Sequence, residues 1–270
     1  MERTAGLTAA ALIWFAAVFC VGPVRAASRP DSAPVTPPAY RQPADRESAP
    51  LLQRRDALFA IAAISAVAIT APQDQRLARE AAASNGATEA TLARSAQPLG
   101  NLGILVPALA ASWLVARASG RSETAGAVVR IGASVGVAGV GALAIKQIVG
   151  RPRPIQTPGD SDDLHPFSGY ESFPSGHAAV SFALATAINR ESSWRGTPWI
   201  TYPLATLVGW SRVHDRKHWT SDVVAGAALG IWTAHKVEDV LQPAPVSTAP
   251  AHIGLGWHDG GPAVAITLGR

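Results

Sequence analysis

Three short blocks of this chain carry residue types that do chemistry. They are Lys146-Gln-Ile-Val-Gly-Arg151-Pro152-Arg153-Pro154, Phe173-Pro174-Ser175-Gly176-His177, and the run from Ser211-Arg212 through His214 and His218 to Asp222. Lys146, Arg153 and Arg212 bring three cations, Ser175 and Gly176 bring neutral donors, and His177 and His218 bring two imidazoles. Together they suit a tetrahedral oxyanion such as phosphate. Phosphoryl transfer needs charge neutralised on the equatorial oxygens, an in-line nucleophile and an acid for the leaving oxygen. Three cations can supply that neutralisation, so no metal or other cofactor is expected.

Each block also has a plainer reading. Lys146 ends an apolar run, and cations there answer the helix dipole. Pro152 and Pro154 stop the helix, which leaves Arg153 in an extended segment able to turn back toward Lys146. Pro174-Ser175 reads as a helix start, and such an N-terminus with a hydroxyl and free N–H groups attracts anions; a simple Ser cap would look the same. His218 and Asp222 are four apart, so on a helix they share a face and the carboxylate accepts from one ring nitrogen. His214 and His218 are also four apart. No Glu follows His214 and no third ligand is evident, so zinc is not expected.

The elements that must hold these blocks are helical. Six Ala/Val/Leu/Ile-rich stretches run roughly over 57–71, 102–118, 125–145, 178–189, 198–210 and 223–234. Between the first two, the polar stretch 73–97 reads as two short surface helices with a turn at Ser84-Asn85-Gly86. The fold expected is all-α, a six-helix bundle. Beyond Pro243 and Pro245, Ile253, Leu255 and Trp257, then Val264, Ile266 and Leu268, alternate around Asp259-Gly260, which predicts a short C-terminal β-hairpin. The domains expected are a signal peptide or anchor over 1–26, a Pro-rich linker over 27–50, the helical domain over 51–240 and the tail over 241–270.

Composition narrows the class. The chain has 270 residues, 48% hydrophobic and 16% charged, with net charge +4. That excludes a disordered chain, and no basic stripe interleaved with aromatics suggests nucleic acid. Cys20 is the only cysteine, so no internal disulfide can form. Arg3, the apolar stretch 5–22 and Val24-Arg25-Ala26 have the layout of a secretory signal, with an uncleaved anchor as the alternative. Phe19 before Cys20 is too bulky for lipoprotein processing. The acidic segment with Asp160, Asp162, Asp163 and Glu171 reads as a mobile loop, and Phe167, Tyr170, Phe173 and Trp219 are candidates to receive an apolar tail.

The three ordered blocks resemble the signature of the type 2 phosphatidic acid phosphatase and vanadium haloperoxidase superfamily: Lys-x6-Arg-Pro, Pro-Ser-Gly-His and Ser-Arg-x5-His-x3-Asp. The gaps of 19 and 33 residues between the blocks are also similar to the family's. The blocks span 146–222, and the flanking helices extend the resemblance over about 51–240. The resemblance implies that His218 is the nucleophile, that Asp222 orients it, and that a charged His177 is the acid and then the base. It implies that Lys146, Arg153, Ser175, Gly176 and Arg212 hold the phosphate. The activity implied is a metal-independent phosphatase acting on phosphomonoesters or lipid phosphates and diphosphates through a phosphohistidine. The alternatives are a vanadate-dependent haloperoxidase or a non-enzymatic membrane protein that binds anionic lipids. The expected setting is a bacterial envelope, inner membrane or periplasm, with the site facing the periplasm. After an exported leader, that orientation requires one early helix not to cross. The 15-residue run 57–71, at about 23 Å, is the candidate.

Overall fold

The computed structural model describes residues 53–83 and 86–241, and the backbone of 251–258 and 261–268. The leader and the linker lie outside these residues. The α-helices are α1 Arg54–Thr70, α2 Asp74–Ala83, α3 Ala87–Ala96, α4 Leu102–Ala118, α5 Ser122–Val149, α6 Gly176–Glu191, α7 Pro198–His214 and α8 Thr220–Leu241. Each of the six apolar stretches falls within one helix, and the polar stretch 73–97 forms α2 and α3. The described part of residues 1–240 is helical, while 241–270 is a separate compact unit. There Ala251–His258 pairs antiparallel with Gly261–Leu268. Residues 259 and 260, where the turn is expected, lie outside the described residues.

The core forms where α4, α5, α6 and α8 meet, around Leu105, Ile131, Val135, Leu184 and Ala234. Small residues set the spacing. A Cβ on Gly226 would lie 2.4 Å from the Ser175 carbonyl oxygen, and one on Gly230 would lie 2.2 Å from that of Ala179. Only glycine lets α8 approach α6 this closely. This seam matters because Gly176 and His177 open α6 while Asp222 lies in the first turn of α8.

One finding corrects an expectation about membrane crossing. The run 57–71 does not end at Pro72. A 3₁₀ turn, Ala71–Gln73, takes Pro72 in its first positions, where the missing N–H is not needed. α1 and α2 thus form a helix of 30 residues, Arg54–Ala83, long and apolar enough to cross a membrane. The length argument for a non-crossing first helix therefore fails. α5 passes the same test, and α3–α4, bent by 55°, would be a third span if taken as one. Leu58, Ile61, Ile64 and Ile69 of α1 are exposed. Arg130, a costly residue in a lipid-facing span, turns inward instead. It grips Glu191 of α6 through two bonds of 2.5 and 2.7 Å and lies 3.7 Å from Glu238 of α8. Glu238 is fully buried, and neither of its carboxylate oxygens has a hydrogen-bond donor.

Candidate active site

The site lies where α5 ends and α6 and α8 begin. Gly150 closes α5 in the left-handed region, at φ 60°. A Cβ there would collide with the His165 carbonyl oxygen. The chain can then fold back: His165 N–H donates to Gly150 O, Phe167 N–H to Gln147 O, and Ser172 N–H to Arg151 O, each at 2.9 Å. This return lays Glu171 and Ser172 beside Lys146, whose ammonium donates to the Glu171 carbonyl. Arg153 pairs loosely with the Glu171 carboxylate at 3.5 Å.

Ser175 caps α6, its hydroxyl accepting from Ala178 N–H at 3.4 Å. Its own N–H donates to the Asp222 carbonyl at 2.9 Å, tying the turn to α8. Gly176 opens the helix beside Lys146; a Cβ there would meet Lys146 Cε at 3.8 Å. The Gly176 and His177 amides at the start of α6 have no intrahelical acceptor and are available to an anion. Arg212, near the end of α7, is buried and donates to Asp215 at 3.2 Å.

His218 is 5% exposed. Its Nδ1 lies 2.7 Å from the Ser172 carbonyl oxygen. A carbonyl only accepts, so Nδ1 carries the proton and Nε2 keeps its lone pair. Burial, the largest influence, pushes the His218 pKa down and outweighs the nearby Asp222, so the ring is neutral. Burial first, and then Arg212, His218, Lys146 and Arg153, push His177 down to about 4. Lys146, Arg153, Arg212 and His218 thus all lie within electrostatic reach of His177.

Several expectations change. Asp222 does not accept from His218: the gap to Oδ2 is 3.8 Å. The i,i+4 argument assumed a helix through both residues, whereas α8 starts at Thr220, two positions past His218. Asp222 instead accepts from Arg151 Nη1 at 2.6 Å, Ser172 Oγ at 2.5 Å and Trp219 N–H at 2.8 Å. Its hydrogen-bonded link to the imidazole runs through Ser172. His177 is neutral in the free site rather than charged. Trp219 is buried, with its indole N–H on the Pro152 carbonyl at 3.0 Å, and so cannot receive a tail. The acidic loop is pinned at its middle, because Ser161 O accepts from Arg151 Nε at 2.8 Å. His214 turns to Asp215 and to the Trp210 ring, at 3.3 and 5.1 Å. Among the described residues no group of three or more His, Cys, Asp or Glu could hold a metal ion.

Residue-by-residue reading of the sequence missed Asp74, Arg151, Ser172 and Ser221. Arg151 was visible as the first Arg of an Arg-Pro-Arg-Pro run. Asp74 looked like any acid in a first helical turn, although it is fully buried.

Comparison with known proteins agrees with this geometry. The lipid A 1-phosphatase of Porphyromonas gingivalis is 46% identical over 63 residues, covering 22% of this chain and 14% of that protein. An Arabidopsis thaliana protein, "Probable lipid phosphate phosphatase 4", is 34% identical over 139 residues, covering 40% of this chain and 45% of that one. The chain thus spans less than half the length of these curated relatives. The crystal structure of a transmembrane PAP2-type phosphatidylglycerolphosphate phosphatase from Bacillus subtilis superposes with a TM-score of 0.51 at 22% identity. That match covers 68% of this chain and 92% of the other, and it shows a shared fold. Residues 127–238 match the family model of the PAP2 superfamily, a stretch that contains all three blocks.

Proposed function

We propose that this protein is a phosphoric ester hydrolase acting on lipid phosphates or diphosphates at a bacterial envelope membrane, with its site facing the periplasm. The observation that carries the reading is a neutral, buried His218 whose Nδ1–H is held by the Ser172 carbonyl at 2.7 Å. Its free Nε2 belongs to a pocket that Lys146, Arg153, Arg212 and the α6 N-terminus make positive. The names of both curated relatives, which specify lipid phosphates, support the substrate class. The exposed apolar face of α1 and the long α5 support the membrane setting.

In the proposed reaction, Lys146, Arg153, Arg212, Ser175 and the Gly176 amide hold the phosphoryl oxygens. Nε2 of His218 attacks phosphorus, forming the P–N bond as the P–O bond to the leaving alcohol breaks. The positive phosphohistidine ring is stabilised by the Ser172 carbonyl and the Asp222 carboxylate. His177 supplies the leaving-group proton. A bound phosphate anion raises the pKa that burial and the cations depress, so His177 takes up its proton as substrate arrives. As the neutral base it then activates the water that cleaves P–N. Residues 51–240, with six apolar helices, make the catalytic domain; 241–270 is a tail outside it.

The test is hydrolysis of p-nitrophenyl phosphate and of a phosphatidate in detergent, with vanadate as inhibitor and chelator as control. Turnover of both, blocked by vanadate, untouched by chelator and abolished in His218→Ala, is the expected result. Undiminished hydrolysis in folded His218→Ala removes the nucleophile.

A further inference from the structure

We propose that Asp74 and Arg151 are a positioning pair for His218, with Asp74 supplied by a helix that precedes the family-matched residues 127–238; this rests on the phosphatase reading above. Arg151 is buried, and every nitrogen of its guanidinium is engaged. Nη1 donates to Asp222 Oδ1 at 2.6 Å and to Ser221 Oγ at 2.8 Å. Nη2 donates to Asp74 Oδ2 at 2.9 Å and to Ser161 O at 2.5 Å, and Nε donates to Ser161 O at 2.8 Å. The guanidinium sits 5.4 Å over the Trp219 ring.

Asp74 is closed off in the same way. It accepts from Arg151, from Ser221 N–H at 2.9 Å and from the Ser221 hydroxyl. One continuous path therefore runs from Asp74 through Arg151, Asp222 and the Ser172 hydroxyl to the Ser172 carbonyl that holds His218.

The charges give this path a task. One buried guanidinium is shared between two buried carboxylates. Asp74 takes part of Arg151's charge, which leaves Asp222 more of its own to offset the cationic ring of a phosphohistidine. Without Asp74, Arg151 acts on Asp222 alone. The surroundings of His218 become more positive, and the ring is a weaker base and nucleophile. A buried ion pair that served the fold alone would leave the kinetics of the folded protein unchanged.

The test is Asp74→Asn in the full chain, which keeps the shape and removes the charge. Correctly folded variant should hydrolyse p-nitrophenyl phosphate with kcat down roughly ten- to a hundredfold, the range for groups that orient a reacting ligand from behind. KM should stay within about twofold. The acid limb of kcat/KM should move to lower pH, because a less basic His218 stays neutral further into acid. Should Asp74→Asn not fold, Ser221→Ala removes only the hydroxyl between the pair and should cost about fivefold in kcat, the worth of one hydrogen bond. Wild-type kcat and an unmoved acid limb in the folded variant, with His218→Ala inactive, overturn this proposal and leave the phosphatase standing. An active His218→Ala overturns the reading beneath it.

Discussion

The seam between α6 and α8 yields the most quantitative prediction. A methyl at Gly226 would stand 2.4 Å from Ser175 O, 3.1 Å from Ala178 Cβ and 3.2 Å from Ala179 N. Two of these three neighbours are backbone and cannot rotate aside. Ordinary contact begins at 3.4 Å, so Gly226→Ala must part the helices by about 1 Å. That displacement acts directly on the site, since Ser175 N–H bonds the Asp222 carbonyl across the seam. It moves the phosphate-holding turn away from Asp222 and His218. A misplacement of about 1 Å costs on the order of a hundredfold in rate, about 2.7 kcal/mol of transition-state stabilisation. Overpacking should also take about 1–3 kcal/mol from stability. The assay is kcat for p-nitrophenyl phosphate per mole of folded protein, with a thermal melt on the same sample. Gly141→Ala is the control, because its Cβ would meet Leu229 at 3.8 Å, an ordinary contact. Gly226→Ala turning over within threefold of wild type would refute the link between seam and site.

Other consequences can be checked separately. Lys146→Arg should lower kcat/KM at least tenfold, because a planar fork cannot replace a compact ammonium placed between the Glu171 carbonyl and Gly176; unchanged kinetics would reduce Lys146 to a helix-end charge. His177, held at about 4 in the free protein, should take up a proton when vanadate binds between pH 5 and 6, seen by titration calorimetry in two buffers of different ionisation heat; uptake equal in His177→Asn would assign the proton elsewhere. The same depressed value has a stability sign. The folded state binds fewer protons than the unfolded one between about 6.5 and 4, so stability is full above that window and falls as pH drops through it. The melting temperature of His177→Asn should fall less steeply there, and an identical slope would count against the buried neutral ring. A reporter fused at Gly159 should read periplasmic; a cytoplasmic signal there would reverse the proposed orientation.

What the sequence made legible were patterns carried by side-chain identity. Lys146, Arg153, Ser175-Gly176-His177, Arg212, His218 and Asp222 each stood out by type and spacing, and the apolar runs marked the helices. Contacts that depend on backbone groups were not legible. The Ser172 carbonyl that holds His218 could belong to any residue, and only the left-handed turn at Gly150 brings that strand of chain into place. The expected His218–Asp222 bond failed because a rule for helical neighbours was applied to a residue two positions before the helix begins. Pro72 misled in the opposite sense, since a proline that looks like a stop sits harmlessly at the start of a 3₁₀ turn. Asp74 was invisible because its partners lie 77 and 147 residues away.

The cluster of Arg130, Glu191 and Glu238 bears on how the protein is made. These residues come from α5, α6 and α8, and each is an ionisable group within or at the end of an apolar helix. An unaccompanied charge within a span disfavours its insertion. α5 leaves the ribosome with Arg130 some 60 residues ahead of its nearest carboxylate partner, and Glu238 comes last. Arg130 therefore waits for α6 to be made, and the set closes only on α8. Because the same three helices carry Lys146, His177 and Asp222 at their other ends, the step that neutralises the cluster is also the step that first brings those three side chains together.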